Sequence, residues 1–253
     1  MTVDLVVKNA KLVTPRGIID GGLIINGGII VGIKKDPHLP QADRVIDAHG
    51  KPVLPGPIDG HCHHTSPPDT AESSSRAGAK GGFTTLLDMP PETTFNGEEY
   101  ILKKQRFSGN CYVDYTLHGA AASGYLAGSL SDQLAQGATG IKFFVSNAGP
   151  GWPQTYDGDI INGFREIAGV NGLALIHAEN NQIIRDNSKR LKADGRKDYP
   201  AMLEARPRIA EVEAGRRIIQ YLEETGCRGL IVHTSIPDTV YRAAEARARR
   251  SFP

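Results

Sequence analysis

Residues 55–69 read PGPIDGHCHHTSPPD, and this stretch decides the fold. An apolar run bounded by Pro and Gly leads into His61 and His63, two residues apart at the end of a predicted strand. Because successive side chains of a strand point to opposite faces, His61 and His63 share one face and His64 points to the other. Parallel α/β folds place their chemistry at such strand ends. We therefore interpret His64 as a loop or structural residue and His61 and His63 as candidate ligands.

Apolar strand-like runs alternate with helical periodicity from residue 54 onward. The predicted strands lie at about 54–61, 83–88, 111–118, 139–145, 173–177 and 229–233, and the predicted helices at 71–80, 96–106, 126–136, 158–170, 180–194, 201–225 and 237–250. This alternation predicts a parallel α/β sheet. Residues 1–53 differ, because they are rich in Val and Ile and carry the hairpin signal NGG at 26–28. They predict a small β module.

Composition excludes several classes of function. The chain has 253 residues, of which 40% are hydrophobic and 23% are charged, as is ordinary for a globular protein. Its net charge of +1, without a run of Lys or Arg, gives no electrostatic support for a nucleic-acid or membrane partner. Three widely spaced cysteines form no disulfide framework, and no signal peptide or long apolar span is present. We expect a cytoplasmic protein.

Downstream strands repeat the chemistry of the first one. LALIHAEN places His177 at a strand end, GLIVHTS places His233 there, and TGIKFFVS places Lys142 between two apolar residues. Taken singly, a histidine at a strand end is more often a packed or loop residue. Four histidines and a lysine at the ends of four strands, with His61 and His63 sharing one, are predicted to meet on one rim of a barrel.

Five segments carry a resemblance to a known family. PGPIDGHCH, AGAKGGFTTLLDMP, GIKFF, LIHAEN and LIVHTS occur in this order between about residues 53 and 235. They resemble the cyclic amidohydrolases of the hydantoinase, dihydropyrimidinase and allantoinase group, in the amidohydrolase superfamily. The resemblance implies an α/β fold, with an N-terminal part of a β-sandwich over 1–53 and an incomplete TIM (β/α) barrel of about six βα units over 54–253.

The resemblance also implies a hydrolase that opens the C–N amide bond of a cyclic amide with a metal-bridged hydroxide. Its site would hold two divalent metal ions, usually Zn²⁺. His61 and His63 match the ligands of one metal, and His177 and His233 match those of the other. Lys142 matches the lysine that reacts with CO2 to form a carbamate bridging both metals.

Substrate recognition is less clearly implied. Ser146 and Asn147 stand where many hydantoinases carry a tyrosine, and they are candidate substrate contacts. Thr65 replaces the arginine of dihydroorotases, which favours an uncharged hydantoin, dihydropyrimidine or allantoin as the small-molecule substrate. The sequence does not choose among these rings, and a homo-oligomer is expected.

One position of the family pattern has no match. The family's last barrel strand carries an aspartate that ligates metal and transfers protons, whereas the only acidic residues after His233 are Asp238 and Glu245. Asp238 is not assigned that role. The C-terminal barrel units are therefore expected to be missing and this chain to have very low turnover. A non-catalytic dihydropyrimidinase-like scaffold and an inactive fragment stay open as alternatives.

Overall fold

The structure is a computed structural model that describes residues 2–63, 68–89, 96–125, 127–149 and 154–249. The chain divides into two compact units at the bond between Pro57 and Ile58. The first unit is a β module, and the second alternates strands with helices.

The first unit is built around one long central strand. Its strands are β1 (Val3–Thr14), β2 (Gly17–Asn26), β3 (Ile29–Lys34), β4 (Ala42–Asp47) and β5 (Pro52–Val53). The order is β3-β2-β1-β4. β2 pairs antiparallel with both β1 and β3, whereas β4 and β5 pair parallel with β1. The two-residue turn after β2 uses Gly27 and Gly28 at φ 59° and 75°. Both positive angles suit the hairpin that NGG predicts.

The second unit contains parallel strands that follow one another in chain order. They are β6 (Ile58–Cys62), β7 (Thr85–Asp88), β8 (Asp114–Leu117), β9 (Gly119–Ala120), β10 (Ile141–Phe144), β11 (Leu173–His177) and β12 (Arg228–Ile231). The orders are β6-β7-β8 and β9-β10-β11-β12, and only His118 separates β8 from β9. Within the described residues the strands thus fill six successive positions of a parallel sheet. This arrangement agrees with the predicted incomplete TIM barrel.

Helices connect the strands of the second unit. They are α1 (Ala71–Lys80), α2 (Gly97–Phe107), α3 (Ser129–Ala135), α4 (Asp157–Gly169), α5 (Asn181–Ala193), α6 (Tyr199–Ala205), α7 (Arg208–Thr225) and α8 (Pro237–Arg249). No helix in the described part of the chain is long and apolar enough to span a membrane.

The prediction of one continuous helix over 201–225 is wrong. The chain leaves the helical conformation at Arg206, whose φ and ψ are −113° and 65°, and α7 begins after Pro207. The ring of a proline disfavours helical angles at the preceding residue, so Pro207 forces this break.

The apolar core lies between the parallel strands and the helices. In β10, Ile141 and Phe143 belong to this core, and the Phe143 ring meets the Phe164 ring of α4 edge to face at 5.2 Å. A Cβ at Gly163 would lie 2.9 Å from Cζ of Phe143, so glycine permits this close approach. Since side chains alternate along a strand, Lys142 points away from the helices towards the barrel interior.

A buried ion pair joins β7 to α2. Nζ of Lys103 lies 3.1 Å from Oδ2 of Asp88, and both side chains are buried. The pairing with a helix lysine indicates a structural role for Asp88.

Candidate metal centre

The strand ends bring four imidazole rings together. His61 lies in β6 and His63 directly follows it, His177 ends β11, and His233 comes two residues after β12. The ring centroid of His61 lies 5.7 Å from that of His63 and 5.4 Å from that of His233. The ring centroids of His177 and His233 lie 4.8 Å apart. The four predicted histidines therefore form one connected group.

The closest contact in this group joins His177 to His233. Nδ1 of His177 lies 3.1 Å from Nε2 of His233. Two nitrogen atoms bound to one zinc ion at about 2.0–2.1 Å, with an angle between a right angle and the tetrahedral value, lie about 2.9–3.3 Å apart. The observed separation fits two ligands of the same cation.

The backbone at His233 is unusual. Its φ of 41° lies in the left-handed region, which costs a residue with a side chain about 1 kcal/mol. The following turn is held by Glu211, whose carboxylate accepts hydrogen bonds from the backbone N–H groups of Ser235 and Ile236 at 3.1 and 2.9 Å. Such conformations persist where surrounding contacts fix them, and they are concentrated at functional sites.

Lys142 is a buried amine inside the barrel. Its side chain is 1% exposed, and Nζ lies 5.2 Å from the centroid of the Phe144 ring. Burial lowers the pKa of Lys142 to about 8, and no carboxylate among the described residues offsets this effect. About a tenth of the amine is therefore neutral at pH 7. The neutral amine is the form that can react with CO2.

Two neighbouring imidazoles, those of His61 and His233, are uncharged near neutral pH. Burial, followed by the charge of Lys142, lowers the pKa of His61 to about 4. Burial, followed by His177 and Lys142, also lowers the pKa of His233 to about 4. Neutral imidazole is the form that ligates metals.

The distances within the group do not divide it into separate pairs. Across the described segments, no three His, Cys, Asp or Glu side chains are gathered for a single metal ion. His61 lies near both His63 and His233, and the shortest contact between ring nitrogens joins His177 to His233. The metal-binding roles of the five residues stay predictions.

Comparison with known proteins identifies the relatives of this chain. No family model matches it. It is 33% identical over 255 residues to the L-hydantoinase of Paenarthrobacter aurescens and 34% identical over 252 residues to the allantoinase of Solibacter usitatus. The chain is a homologue of these cyclic amidohydrolases. The alignments cover 97% and 96% of the chain but 55% and 54% of the relatives, so the chain spans about half their length.

Solved structures confirm the resemblance and the fold of this cyclic amidohydrolase homologue. The L-hydantoinase (dihydropyrimidinase) from Arthrobacter aurescens superposes with a TM-score of 0.87 at 32% identity, covering 98% of this chain and 56% of that one. A D-hydantoinase (dihydropyrimidinase) from Thermus sp. gives a TM-score of 0.86 at 30% identity, covering 97% and 55%.

Two charged residues beside His177 were not predicted from the sequence. Oε2 of Glu179 lies 2.8 Å from Nε2 of His177, and Nε of Arg206 lies 3.5 Å from Oε1 of Glu179. The hydrogen bond with His177, aided by the charge of Arg206, lowers the pKa of Glu179. These residues and His233 line a cavity of about 200 Å³. In the sequence HAEN, Glu179 follows His177 by two residues, and this spacing could have indicated a carboxylate next to the histidine. No local pattern indicates Arg206.

The predicted substrate contacts follow β10. Ser146 is buried, whereas Asn147 is exposed. Oδ1 of Asn147 accepts a hydrogen bond from the backbone N–H of Gly149 at 2.9 Å, and its backbone N–H donates to Oδ1 of Asn181. The side-chain carbonyl of Asn147 thus accepts a hydrogen bond within its own loop. Both contacts stay predictions.

Two other polar residues of the second unit, Asp59 and Asp238, have local partners. Oδ1 of Asp59 accepts from the backbone N–H of His61 at 3.0 Å, so it supports the backbone of a candidate ligand. Asp238 lies in the first turn of α8 and pairs with Arg208, in agreement with leaving it unassigned. His64 and Thr65 lie outside the described residues.

Proposed function

We propose that this chain supplies the metal site of a hydrolase that opens the C–N amide bond of a cyclic amide. The substrate classes are hydantoins, dihydropyrimidines and allantoin, which include those in the names of its relatives. The observation that carries the proposal is Lys142, a buried amine among paired imidazoles at the ends of parallel strands. Burying an amine without a carboxylate is costly, and such perturbed groups are concentrated at functional sites.

In this proposal His61 and His63 hold one divalent cation, His177 and His233 hold a second, and zinc is the expected metal. Bound cations would supply Lewis-acid activation of the amide carbonyl and lower the pKa of water. Lys142 contributes a shared ligand. Its neutral amine forms a bond to the carbon of CO2 and loses one proton, which gives a carbamate anion with two oxygen atoms.

The charges of the site make this modification favourable. An imidazole ligand offers a lone pair and no negative charge. A carbamate on Lys142 would replace a buried cationic amine with an anion between two cations. Hydrogen bonding of Ser146 and Asn147 to the ring, homo-oligomer formation and a cytoplasmic location belong to the same proposal.

A non-catalytic dihydropyrimidinase-like scaffold is the second candidate. The lack of a three-residue His, Cys, Asp or Glu cluster in the described ranges favours it. The two candidates differ in what they require. A hydrolase must bind metal through Lys142, whereas a scaffold keeps its fold without metal and opens no ring.

Zinc content tests the proposal. After dialysis against zinc and bicarbonate, we expect about two zinc ions per wild-type chain and far fewer in Lys142→Ala, which lacks the shared ligand. His177→Ala should lose about one. His38→Ala, which removes an exposed histidine of the first unit, is the matched control and should bind like wild type. Equal zinc content in wild type and Lys142→Ala would contradict the proposal.

Two further measurements separate the candidates. With ¹³C-bicarbonate, a carbamate resonance should appear in the zinc-loaded wild type and be absent from Lys142→Ala. Ring opening should then be assayed on hydantoin, dihydrouracil and allantoin. Turnover that disappears in Lys142→Ala supports the hydrolase, and a zinc-free, folded chain without turnover supports the scaffold.

A further inference from the structure

We infer that Glu179 and Arg206 are positioning residues that fix the orientation and tautomer of His177. This inference rests on the proposed metal site, because His177 is one of its predicted ligands. Neither residue touches the predicted substrate contacts, so they act through the imidazole of His177.

The hydrogen bond from His177 to Glu179 determines which ring nitrogen carries the proton. An ionised carboxylate only accepts hydrogen bonds, so Nε2 of His177, 2.8 Å from Oε2 of Glu179, must be the N–H donor. In the neutral ring that metal binding requires, Nδ1 is then a lone pair, and it lies 3.1 Å from Nε2 of His233. Glu179 therefore directs a free lone pair to the place where the second cation is proposed.

Arg206 holds Glu179 from the other side. Its Nε lies 3.5 Å from Oε1, so the two oxygen atoms of the carboxylate are divided between a guanidinium and an imidazole. Pro207 ends α6 at this position, and the break that it causes leaves Arg206 outside both helices. The helix break thereby supplies the second contact to the carboxylate.

The loop that carries Glu179 is fixed on its far side as well. The backbone N–H of Asn180 donates to the carbonyl of Ala210 at 2.9 Å, and Oδ1 of Asn180 accepts from the N–H of Ile183 at 3.1 Å. Glu179 thus sits between a strand-end histidine and an anchored helix start. A carboxylate held in this way orients a ligand histidine and raises its basicity.

The tautomer of His177 can be measured without metal. In ¹⁵N-histidine NMR spectra of the zinc-free chain, we expect the Nε2–H form for His177 and a mixture of both forms in Glu179→Ala. Glu204→Gln is the matched control, because it removes a carboxylate that pairs with Arg196 on the exposed side of α6, and it should keep the Nε2–H form. A wild-type His177 in the Nδ1–H form would overturn the inference.

Zinc affinity is the second readout. By competition with a chromophoric chelator, Glu179→Ala should weaken binding at the second cation about 10–100-fold, as is typical when the carboxylate behind a ligand histidine is lost. Glu179→Gln keeps the size and one acceptor, so its loss should be smaller. Arg206→Met should weaken binding by at most about fivefold, because this ion pair is partly exposed. Glu204→Gln should leave the affinity unchanged.

The outcomes distinguish this inference from the proposed function. Wild type without bound zinc contradicts the metal site, while the tautomer of His177 still tests the positioning role. Wild type with zinc and Glu179→Ala with the same affinity contradicts the positioning role alone. Far-UV circular dichroism of each zinc-free variant checks folding, and Glu179→Gln replaces Glu179→Ala if the alanine variant does not fold.

Discussion

Replacing either of two buried lysines of the second unit with methionine should change the free energy of unfolding, with opposite signs at the two positions. Lys142 lies inside the barrel with no carboxylate partner among the described residues, whereas Lys103 pairs with Asp88 at 3.1 Å. As whole residues, they are 1% and 2% exposed. We predict that Lys142→Met stabilises the zinc-free chain at pH 7 and that Lys103→Met destabilises it.

The size of the first effect follows from the pKa of Lys142. Burial lowers this pKa from 10.5 to about 8, and the difference corresponds to about 3 kcal/mol. The folded chain binds the proton of Lys142 less tightly than the unfolded chain, so protonation favours unfolding. The full penalty applies below about pH 8, decreases as the pH rises to 10.5 and is absent above that. Methionine removes it.

Urea unfolding in zinc-free buffer with a chelator, followed by far-UV circular dichroism, measures the free energy of unfolding. Lys142→Met should exceed wild type by about 3 kcal/mol at pH 7 and by only about 1 kcal/mol at pH 10. Lys103→Met should lose about 3–5 kcal/mol at pH 7, because it leaves Asp88 buried without its cation. A Lys142→Met variant less stable than wild type at pH 7, with an unchanged m-value, would refute the reasoning.

Three further predictions concern packing, hydrogen bonding and pH. Gly163→Ala should cost about 1–3 kcal/mol in urea unfolding, because its Cβ would lie 2.9 Å from Cζ of Phe143. Tyr100→Phe removes the hydrogen bond from its hydroxyl to the carbonyl of Leu117, at 3.2 Å, and should cost about 1 kcal/mol, since that carbonyl keeps the N–H of Thr139 as a partner. Burial lowers the pKa of His118 to about 4, so on acidification the unfolded chain takes up a proton that the folded chain resists. Between pH 7 and pH 4, zinc-free wild type should therefore lose about 3 kcal/mol more stability than His118→Gln, and equal losses would argue against this.

Local sequence patterns were sufficient for the strands that position the site. The apolar runs before His61, His177 and His233 each end where the structure ends a strand or within two residues of that point. Alternation along β10 also placed Lys142 opposite two core residues, and its burial agrees with that placement. These features depend on neighbours in the chain, so a single sequence contains them.

Contacts between distant segments were beyond the reach of such patterns. Periodicity continues through 201–225 and predicts one helix, although Pro207 divides it. The consequence of that break, the contact of Arg206 with Glu179, joins residues 27 positions apart. The left-handed backbone of His233 is likewise fixed by a turn that Glu211 holds from another helix. The helix break is a local effect of Pro207, whereas tertiary contacts, which no local pattern records, decide the other two features.

The order of the parallel strands has a consequence for biosynthesis. Apart from β9, which follows β8 after one residue, each strand of the second unit after β6 pairs with the one made just before it, so the sheet can grow by addition as the chain leaves the ribosome. His233 follows His61 by 172 residues, a delay of roughly 10–30 s at ordinary elongation rates. The nascent chain therefore displays one pair of imidazoles long before the other exists. In the proposed metal site, cation capture by the complete group would follow the addition of β12 to the sheet.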